Sequence, residues 1–277
     1  MKTIAHISDL HFGRVDSATL DPLRRALHAL VPDLVVVTGD LTQRARRVQF
    51  EQARDFLDSL PKPQLVVPGN HDVPLYRVLA RFHHPLRLFR RYITDDLEPF
   101  YSDDELAVIG INTARSLTFK YGRINREQAR RAHAQFRSAD SGIVRIVATH
   151  HPFDLPESSD ARDIVGRARM AMEVLAECGT DLFLSGHVHL SHSGQTAARY
   201  RIAGHSALFL SAGTATSTRV RGQVNSFNWI RIAKPRLELR HYEFSRQSAD
   251  FVPAREQSFE HTAAGWTASQ PPSFTAP

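Results

Sequence analysis

The chain has 277 residues, of which 42% are hydrophobic and 23% are charged, and its net charge is +6. This composition is that of an ordinary globular domain, and it excludes disorder along the whole chain, a collagen-like repeat and a coiled coil. The single cysteine, Cys178, excludes an internal disulfide framework and the thiolate-rich zinc and iron–sulfur sites, which need several cysteines.

The first residues contain an apolar run that is too short for a secretory signal peptide, because His6 and Asp9 interrupt it. No window approaches the ~18 consecutive apolar residues that a membrane span needs. We therefore expect a cytoplasmic protein. The positive net charge favours anionic partners such as nucleotides, phospholipids or nucleic acid, but it does not choose among them.

Short apolar runs alternate with amphipathic stretches over the first two thirds of the chain. The runs predict strands at residues 3–8, 33–38, 64–67, 106–111, 143–148 and 181–184. The amphipathic stretches predict helices at residues 18–30, 47–60, 126–137 and 168–178. This alternation predicts α/β layers, in which ligands bind at the carboxyl ends of the strands.

After Gly194 the alternation of apolar runs and amphipathic stretches gives way to short β-like runs. Short β-like runs at residues 199–203, 207–211, 227–232 and 237–244 predict antiparallel strands that complete a second sheet. We expect residues 1–264 to form a single domain. The polar, proline-containing segment 265–277 is expected to be a mobile tail or a strap on the surface.

Polar loops that follow five of the predicted strands contain side chains of the kinds that bind metal ions. These side chains are Asp9, His11, Asp40, Asn70, His150, His187 and His189. Carboxylate, imidazole and amide ligands without sulfur suit Zn, Mn, Fe or Co. Each loop alone is a weak indication, but all five in this order rarely arise by chance. Seven ligands are more than one tetrahedral ion uses, and two ions that share one carboxylate would use them well.

The five motifs Asp-x-His, Gly-Asp, Gly-Asn-His-Asp, His-x-Pro and Gly-His-x-His, from residue 9 to 189, resemble those of the calcineurin-like metallophosphoesterases. The similarity is greatest to the bacterial class III cyclic nucleotide phosphodiesterases. The resemblance implies an α/β fold with two mixed β-sheets in a sandwich flanked by helices. It also implies a first metal held by Asp9, His11, Asp40 and His189, and a second held by Asp40, Asn70, His150 and His187.

Two further residues of the third motif have roles implied by the same resemblance. His71 would face the substrate and, as an imidazolium, protonate the leaving oxygen or stabilise the transition state. Asp72 would orient His71 from behind. We expect hydrolysis of a small anionic phosphodiester, of the cyclic nucleotide or glycerophosphodiester type, by in-line attack of a hydroxide that bridges the two metals.

Other functions are compatible with the same motifs. The enzyme alternatives are a phosphomonoesterase, a nuclease and a phospholipid or pyrophosphate hydrolase. Nucleic acid is the less expected substrate, because a repair nuclease of this superfamily usually has further domains. A non-catalytic metal-binding scaffold is the alternative of another class, and the complete ligand set with His71 argues against it. The sequence does not indicate the oligomeric state.

Two arginine-rich stretches stand outside the motifs. Residues 76–93, within a possible helical lid insert at 74–100, carry five arginines among apolar residues. A solvated cationic face is favoured there over a lid above the metal site, and weak contact with a membrane surface is a third interpretation. For residues 44–47 a helix face in solvent is favoured over contact with phosphate.

Overall fold

Two β-sheets carry the fold in the computed structural model, which describes residues 1–138, 142–156, 159–200, 202, 205–219 and 222–269. In spatial order, the strands of the first sheet are β3 (Gln64–Val67), β2 (Leu34–Thr38), β1 (Lys2–Ile7), β10 (Ser226–Ala233), β11 (Arg236–Ser245), β12 (Asp250–Thr262) and β13 (Gly265–Ser269). Strands β1 to β3 are parallel, whereas β10 to β13 form an antiparallel meander that joins β1.

The second sheet has a parallel centre with an antiparallel strand at each edge. Its strands in spatial order are β4 (Phe100–Ser102), β5 (Leu106–Ile111), β6 (Val144–Thr149), β7 (Leu182–Ser185), β9 (Leu208–Ser211) and β8 (His192–Gln195). The central strands read as unbroken apolar runs because both of their faces are buried.

Helices cover the outer faces of the sandwich. They are α1 (Ser17–Leu30), α2 (Arg47–Asp58), α3 (Val78–His83), α4 (Arg87–Tyr92), α5 (Arg126–Arg137), α6 (Ala168–Ala176) and α7 (Thr196–Arg199). Helix α1 begins after Asp16, whose carboxylate accepts a hydrogen bond from the N–H of Ala18. Among the described residues, no helix combines the length and the apolar character that crossing a membrane requires.

Three apolar cores result from this layering. Alternate residues of β2 serve two of them, since Val35 and Val37 pack outward toward α1 and α2 while Leu34 and Val36 pack between the sheets. The third core lies between the second sheet and helices α5 and α6. The expected sandwich of two mixed sheets flanked by helices is confirmed.

The prediction for the late strands was wrong in three respects. The runs at 227–232 and 237–244 extend the first sheet, because β10 pairs antiparallel with β1. The run at 207–211 does join the second sheet, but β9 pairs parallel with β7. No strand forms at the described residues of 199–203, because Arg199 ends helix α7; positions 201 and 203 lie outside the described part of the chain.

The expected boundary at 264 was also wrong. Residues 265–269 form strand β13, which pairs with β12 in a hairpin. Trp266 is only 1% exposed, and its indole N–H donates to Asp181 Oδ1 at 2.8 Å. Its burial anchors this segment on the sheet, so that part of it is no mobile tail. Residues 270–277 lie outside the described residues.

Candidate dinuclear metal centre

The loops that carry the predicted ligands follow β1, β2, β3, β6 and β7, and they meet at the carboxyl ends of these strands. Five of the seven candidate ligands have a left-handed backbone, with φ between 51° and 72°. They are Asp9, His11, Asp40, His187 and His189. This conformation costs of order 1–3 kcal/mol for residues other than glycine and persists only where the surroundings impose it. Such strain, concentrated in one place, is typical of a functional site.

Glycines in the motifs let the loops approach one another. A Cβ atom on Gly69 would lie 2.2 Å from Oδ1 of Asp40, well inside van der Waals contact. A Cβ atom on Gly186 would lie 1.8 Å from Oγ of Ser8 and 2.6 Å from Oδ2 of Asp9. Any side chain at these two positions would therefore push the carboxylates out of place.

The first cluster contains Asp9, His11 and His189. Oδ1 of Asp9 lies 3.2 Å from Nε2 of His189 and 3.5 Å from Nε2 of His11, and the two Nε2 atoms are 3.1 Å apart. His189 donates its Nδ1–H to the carbonyl oxygen of Arg219 at 2.8 Å, which leaves Nε2 as the nitrogen that faces Asp9. The buried Oδ1 of Asp9 has no hydrogen-bond partner among the described residues. A cation between these atoms would satisfy all of them.

The second cluster is arranged in the same way around Asn70. Oδ1 of Asn70 lies 3.1 Å from both Nε2 of His150 and Nδ1 of His187. His150 donates its Nδ1–H to the carbonyl oxygen of Thr38 at 2.7 Å, so Nε2 is the nitrogen that faces the cluster. Oδ1 of Asp40 is 3.4 Å from Nε2 of His150, and Oδ2 of Asp40 is 3.7 Å from His11 in the first cluster. Asp40 therefore stands between the two clusters with one oxygen toward each.

The charges at the centre favour a cation. Burial alone would raise the pKa of Asp9, but the neighbouring His189 and His11 outweigh it and hold that pKa well below its usual range. Burial lowers the pKa of His11 to about 4, which keeps its ring neutral. Burial also acts to lower the pKa of His150, but Asp40 overcomes this and raises it to about 9, so a bound cation would displace a proton from its Nε2. Ionised carboxylates with imidazole lone pairs form a donor set that fits Zn, Mn, Fe or Co.

His71 lies at the wall of a pocket of about 220 Å³ that opens above the two clusters. Its Nδ1–H donates to the carbonyl oxygen of Gln43 at 2.9 Å, and its Nε2 accepts a hydrogen bond from the guanidinium of Arg219 at 3.0 Å. The ring therefore faces the pocket, as expected. Its contacts correspond to a neutral tautomer rather than the expected imidazolium, because the cation at Nε2 is Arg219.

The role expected for Asp72 was wrong. Its carboxylate accepts hydrogen bonds from the N–H groups of Leu41, Thr42 and Gly69, and it has no contact with the ring of His71. The two residues are consecutive in a single 3₁₀ turn, so their side chains point in different directions. Asp72 joins the second and third loops instead. Burial, followed by the charge of Asp40, raises its pKa to about 7.

Sequence reasoning missed several residues at this centre, because they lie outside the motifs. Arg219 contacts His71 through its side chain and His189 through its carbonyl oxygen. Oδ1 of Asp163 lies 3.6 Å from Nε2 of His187 and 2.6 Å from Nζ of Lys120. Burial would raise the pKa of Asp163, but His187 and Lys120 outweigh it and lower this pKa to about 2. No local pattern in the sequence marks these positions.

Comparison with known proteins gives a consistent result. Residues 2–191 match the sequence profile of the calcineurin-like phosphoesterases. A probable glycerophosphodiester phosphodiesterase GpdQ of Arcobacter nitrofigilis is 27% identical over 202 residues, which are 67% of this chain and 71% of that protein. A probable cyclic nucleotide phosphodiesterase of Synechococcus is 31% identical over 81 residues, 26% of this chain and 32% of that protein. The chain matches less than a third of the length of further curated relatives.

Solved structures share the fold at low sequence identity. A dimetal phosphatase from Danio rerio superposes with a TM-score of 0.65 at 14% identity, covering 91% of this chain and 98% of that one. At this identity the likeness concerns the fold alone.

Proposed function

Because the chain belongs to the calcineurin-like phosphoesterase family, we propose that it hydrolyses small phosphodiesters at a centre that holds two metal ions. The observation that carries this proposal is the position of Asp40, whose two oxygens face one cluster of ligand atoms each. Two relatives named as phosphodiesterases, one for glycerophosphodiesters and one for cyclic nucleotides, support a diester substrate of either kind.

The two clusters would hold one ion each. The first would be bound by Asp9, His11, Asp40 and His189, and the second by Asp40, Asn70, His150 and His187. Bound ions of this kind neutralise the non-bridging phosphate oxygens and lower the pKa of a coordinated water. The carbonyl oxygens of Thr38 and Arg219 hold two of the imidazoles in the tautomer that can donate a lone pair.

His71 and Arg219 would act on the substrate from the pocket wall. A phosphodiester with an alkoxide leaving group needs a proton at the departing oxygen, and Nε2 of His71 is the atom that faces the pocket. The guanidinium of Arg219 would turn from Nε2 to a phosphate oxygen when the substrate binds, which frees the neutral ring to take up a proton from solvent at Nε2 and to pass it to the departing oxygen. General acid catalysis of this kind contributes about 10²–10⁴-fold.

Paired chromogenic substrates test the proposal. With added Mn²⁺, bis(p-nitrophenyl) phosphate should be hydrolysed with a higher kcat/KM than p-nitrophenyl phosphate. Preference for the monoester would identify a phosphomonoesterase and overturn the diesterase proposal. Two bound ions without turnover of either substrate would favour the scaffold, and metal analysis of the same preparation supplies that measurement.

A further inference from the structure

A groove beside the metal centre, with a volume of about 450 Å³, is lined by residues from three separate segments. We call it the arginine groove, because its wall contains Arg44, Arg46, Arg47, Arg77, Arg87 and Arg91. Tyr76 and Tyr92 also line it, and among the described residues no aspartate or glutamate does. The fold thus brings together the two arginine-rich stretches that are separate in the sequence.

The charge of this groove is largely unneutralised. Arg47 pairs with Glu51 at 2.8 Å, but the other five arginines of the groove form no ion pair with a carboxylate in the described part of the chain. Single exposed arginines elsewhere, such as Arg14 and Arg130, also lack an ion pair in the described part of the chain, so the groove is distinguished by the clustering of six guanidinium groups. Clustered guanidinium groups in a concave surface create a positive potential that attracts anions. The groove is therefore suited to an anionic group.

The groove adjoins the metal pocket. Arg44 and Leu75 line both cavities. The guanidinium of Arg44 lies 3.4 Å from Nδ1 of His71 on one side and 5.8 Å from the ring centre of Tyr76 on the other. One molecule can therefore occupy both cavities, with its reacting phosphate at the metals and another group in the groove.

We propose that the arginine groove binds a second phosphate group of the substrate. The preferred substrates are then phosphodiesters that carry a further phosphate on one arm. This inference rests on the proposed function. A guanidinium matches phosphate oxygens with two parallel hydrogen bonds, which explains why arginine rather than lysine lines the groove. Tyr76, which is 74% exposed, offers a ring face to the part of the arm between the two phosphates.

An anionic membrane surface is the other anion that arginines with exposed apolar neighbours could meet. Leu79 and Val78 on α3 are largely exposed and lie close in sequence to Arg77. The guanidinium groups, however, line a concavity, and a concavity fits one small group better than a flat bilayer. Binding to an anionic membrane is therefore the competing outcome of the test.

A matched pair of dinucleotides tests the proposal. Thymidylyl-thymidine and its 5′-phosphorylated form differ only by the additional phosphate. The ratio of their kcat/KM values should favour the phosphorylated form by about 10–100-fold, the amount expected for hydrogen bonds to charged groups. In Arg77→Gln/Arg91→Gln this ratio should fall toward one, and added KCl should lower the wild-type ratio. Both side chains are exposed, and the ratio cancels any general loss of activity.

The control variant is Arg24→Gln/Arg231→Gln, which removes two exposed arginines with acidic partners away from the groove. It should keep the wild-type ratio. A wild-type ratio near one, while bis(p-nitrophenyl) phosphate is still hydrolysed, would overturn the groove proposal and leave the proposed function intact. Failure to hydrolyse that simple diester would instead reject the proposed function. If the ratio is near one and phosphatidylglycerol vesicles sediment wild type but not the groove variant, the groove is a membrane contact and the proposal fails.

Discussion

The metal centre and the arginine groove are adjacent, but their charged groups differ in burial and in whether they have partners within the protein. At the metal centre, Asp9 and Asp40 are buried, and each faces imidazole groups that strained loops fix in place. In the groove, Arg46, Arg77 and Arg91 are exposed and have no carboxylate partner in the described residues. The centre is therefore organised before any substrate arrives, whereas the groove obtains its counter-charge from a ligand.

The supporting elements differ in the same sense. The loops of the centre follow strands buried on both faces, and glycines such as Gly69 fit them to one another without space for a side chain. The groove is lined by helix α4, whose six residues are too few to be stable alone, and by residues 44–47 and 74–77. We call the metal centre the floor of the site, and we call the groove with helices α3 and α4 its rim. We expect the chemistry to depend on the rigid floor and the choice of substrate to depend on the rim, which is easier to change.

The largest expected effect is that of His71→Ala, which tests whether His71 acts on the substrate rather than on the metals. His71→Ala should keep both metals, because no ligand atom of the two clusters is lost. Turnover of diesters with an alkoxide leaving group should fall about 10²–10⁴-fold. Bis(p-nitrophenyl) phosphate should lose much less, because p-nitrophenolate leaves without a proton. Metal analysis that finds an empty cluster in this variant would contradict the assignment.

A substitution behind the second cluster has a smaller expected effect. Asp163→Asn removes the charge that faces Nε2 of His187 at 3.6 Å. Groups that orient a metal-binding histidine in this way are typically worth about 10–100-fold in metal affinity or activity. Metal titration of the chelator-treated protein should show weaker binding of one ion of the two.

The matched control is Asp160→Asn, in the same turn but paired with Arg162 at the surface. It should bind both ions as wild type does. Unchanged affinity in Asp163→Asn would mean that the loop alone positions His187, and that the charge contributes nothing.

Local patterns in the sequence were sufficient to predict that the ligand-bearing loops come together. The ligands follow strand-forming runs such as Leu34–Thr38, and parallel strands bring their carboxyl ends to one edge. The same reasoning could not find Arg219 or Asp163, because they reach the centre only through tertiary packing. It also misjudged Asp72, since a motif gives the order of its residues but not the direction in which each side chain points.

The extension of the first sheet and the composition of the groove also depend on contacts between residues that are far apart in sequence. Strand β10 could have joined either sheet, and its register with β1 is set by contacts more than 200 residues apart in sequence, as between Lys2 and Ile232. For residues 44–47 alone, a helix face in solvent was the favoured interpretation, but helix α2 begins only at Arg47. Only the folded structure shows that the two stretches line one groove, where their arginines can bind the same anion.

Arg81 connects the groove side of the rim to the wall of the metal pocket. Its side chain is buried, and its guanidinium donates to the carbonyl oxygens of Pro74 at 2.9 Å and Ser116 at 2.6 Å. It also stacks on the ring of Phe119, at 4.4 Å from the ring centre, and Phe119 lines the metal pocket. One cation thus joins two surface loops.

Arg81→Lys should loosen this rim without affecting the floor, because a single ammonium cannot replace a planar fork that reaches several carbonyl groups. We expect both metals to remain bound and KM for diesters to rise about threefold to tenfold, the cost of about one hydrogen bond to a charged group, with little change in kcat. Limited proteolysis should cut faster within residues 74–83. Arg90→Lys, on the exposed side of α4, is the control and should behave as wild type. A loss of metal in Arg81→Lys would show that rim and floor are one cooperative unit, and the division between them would not hold.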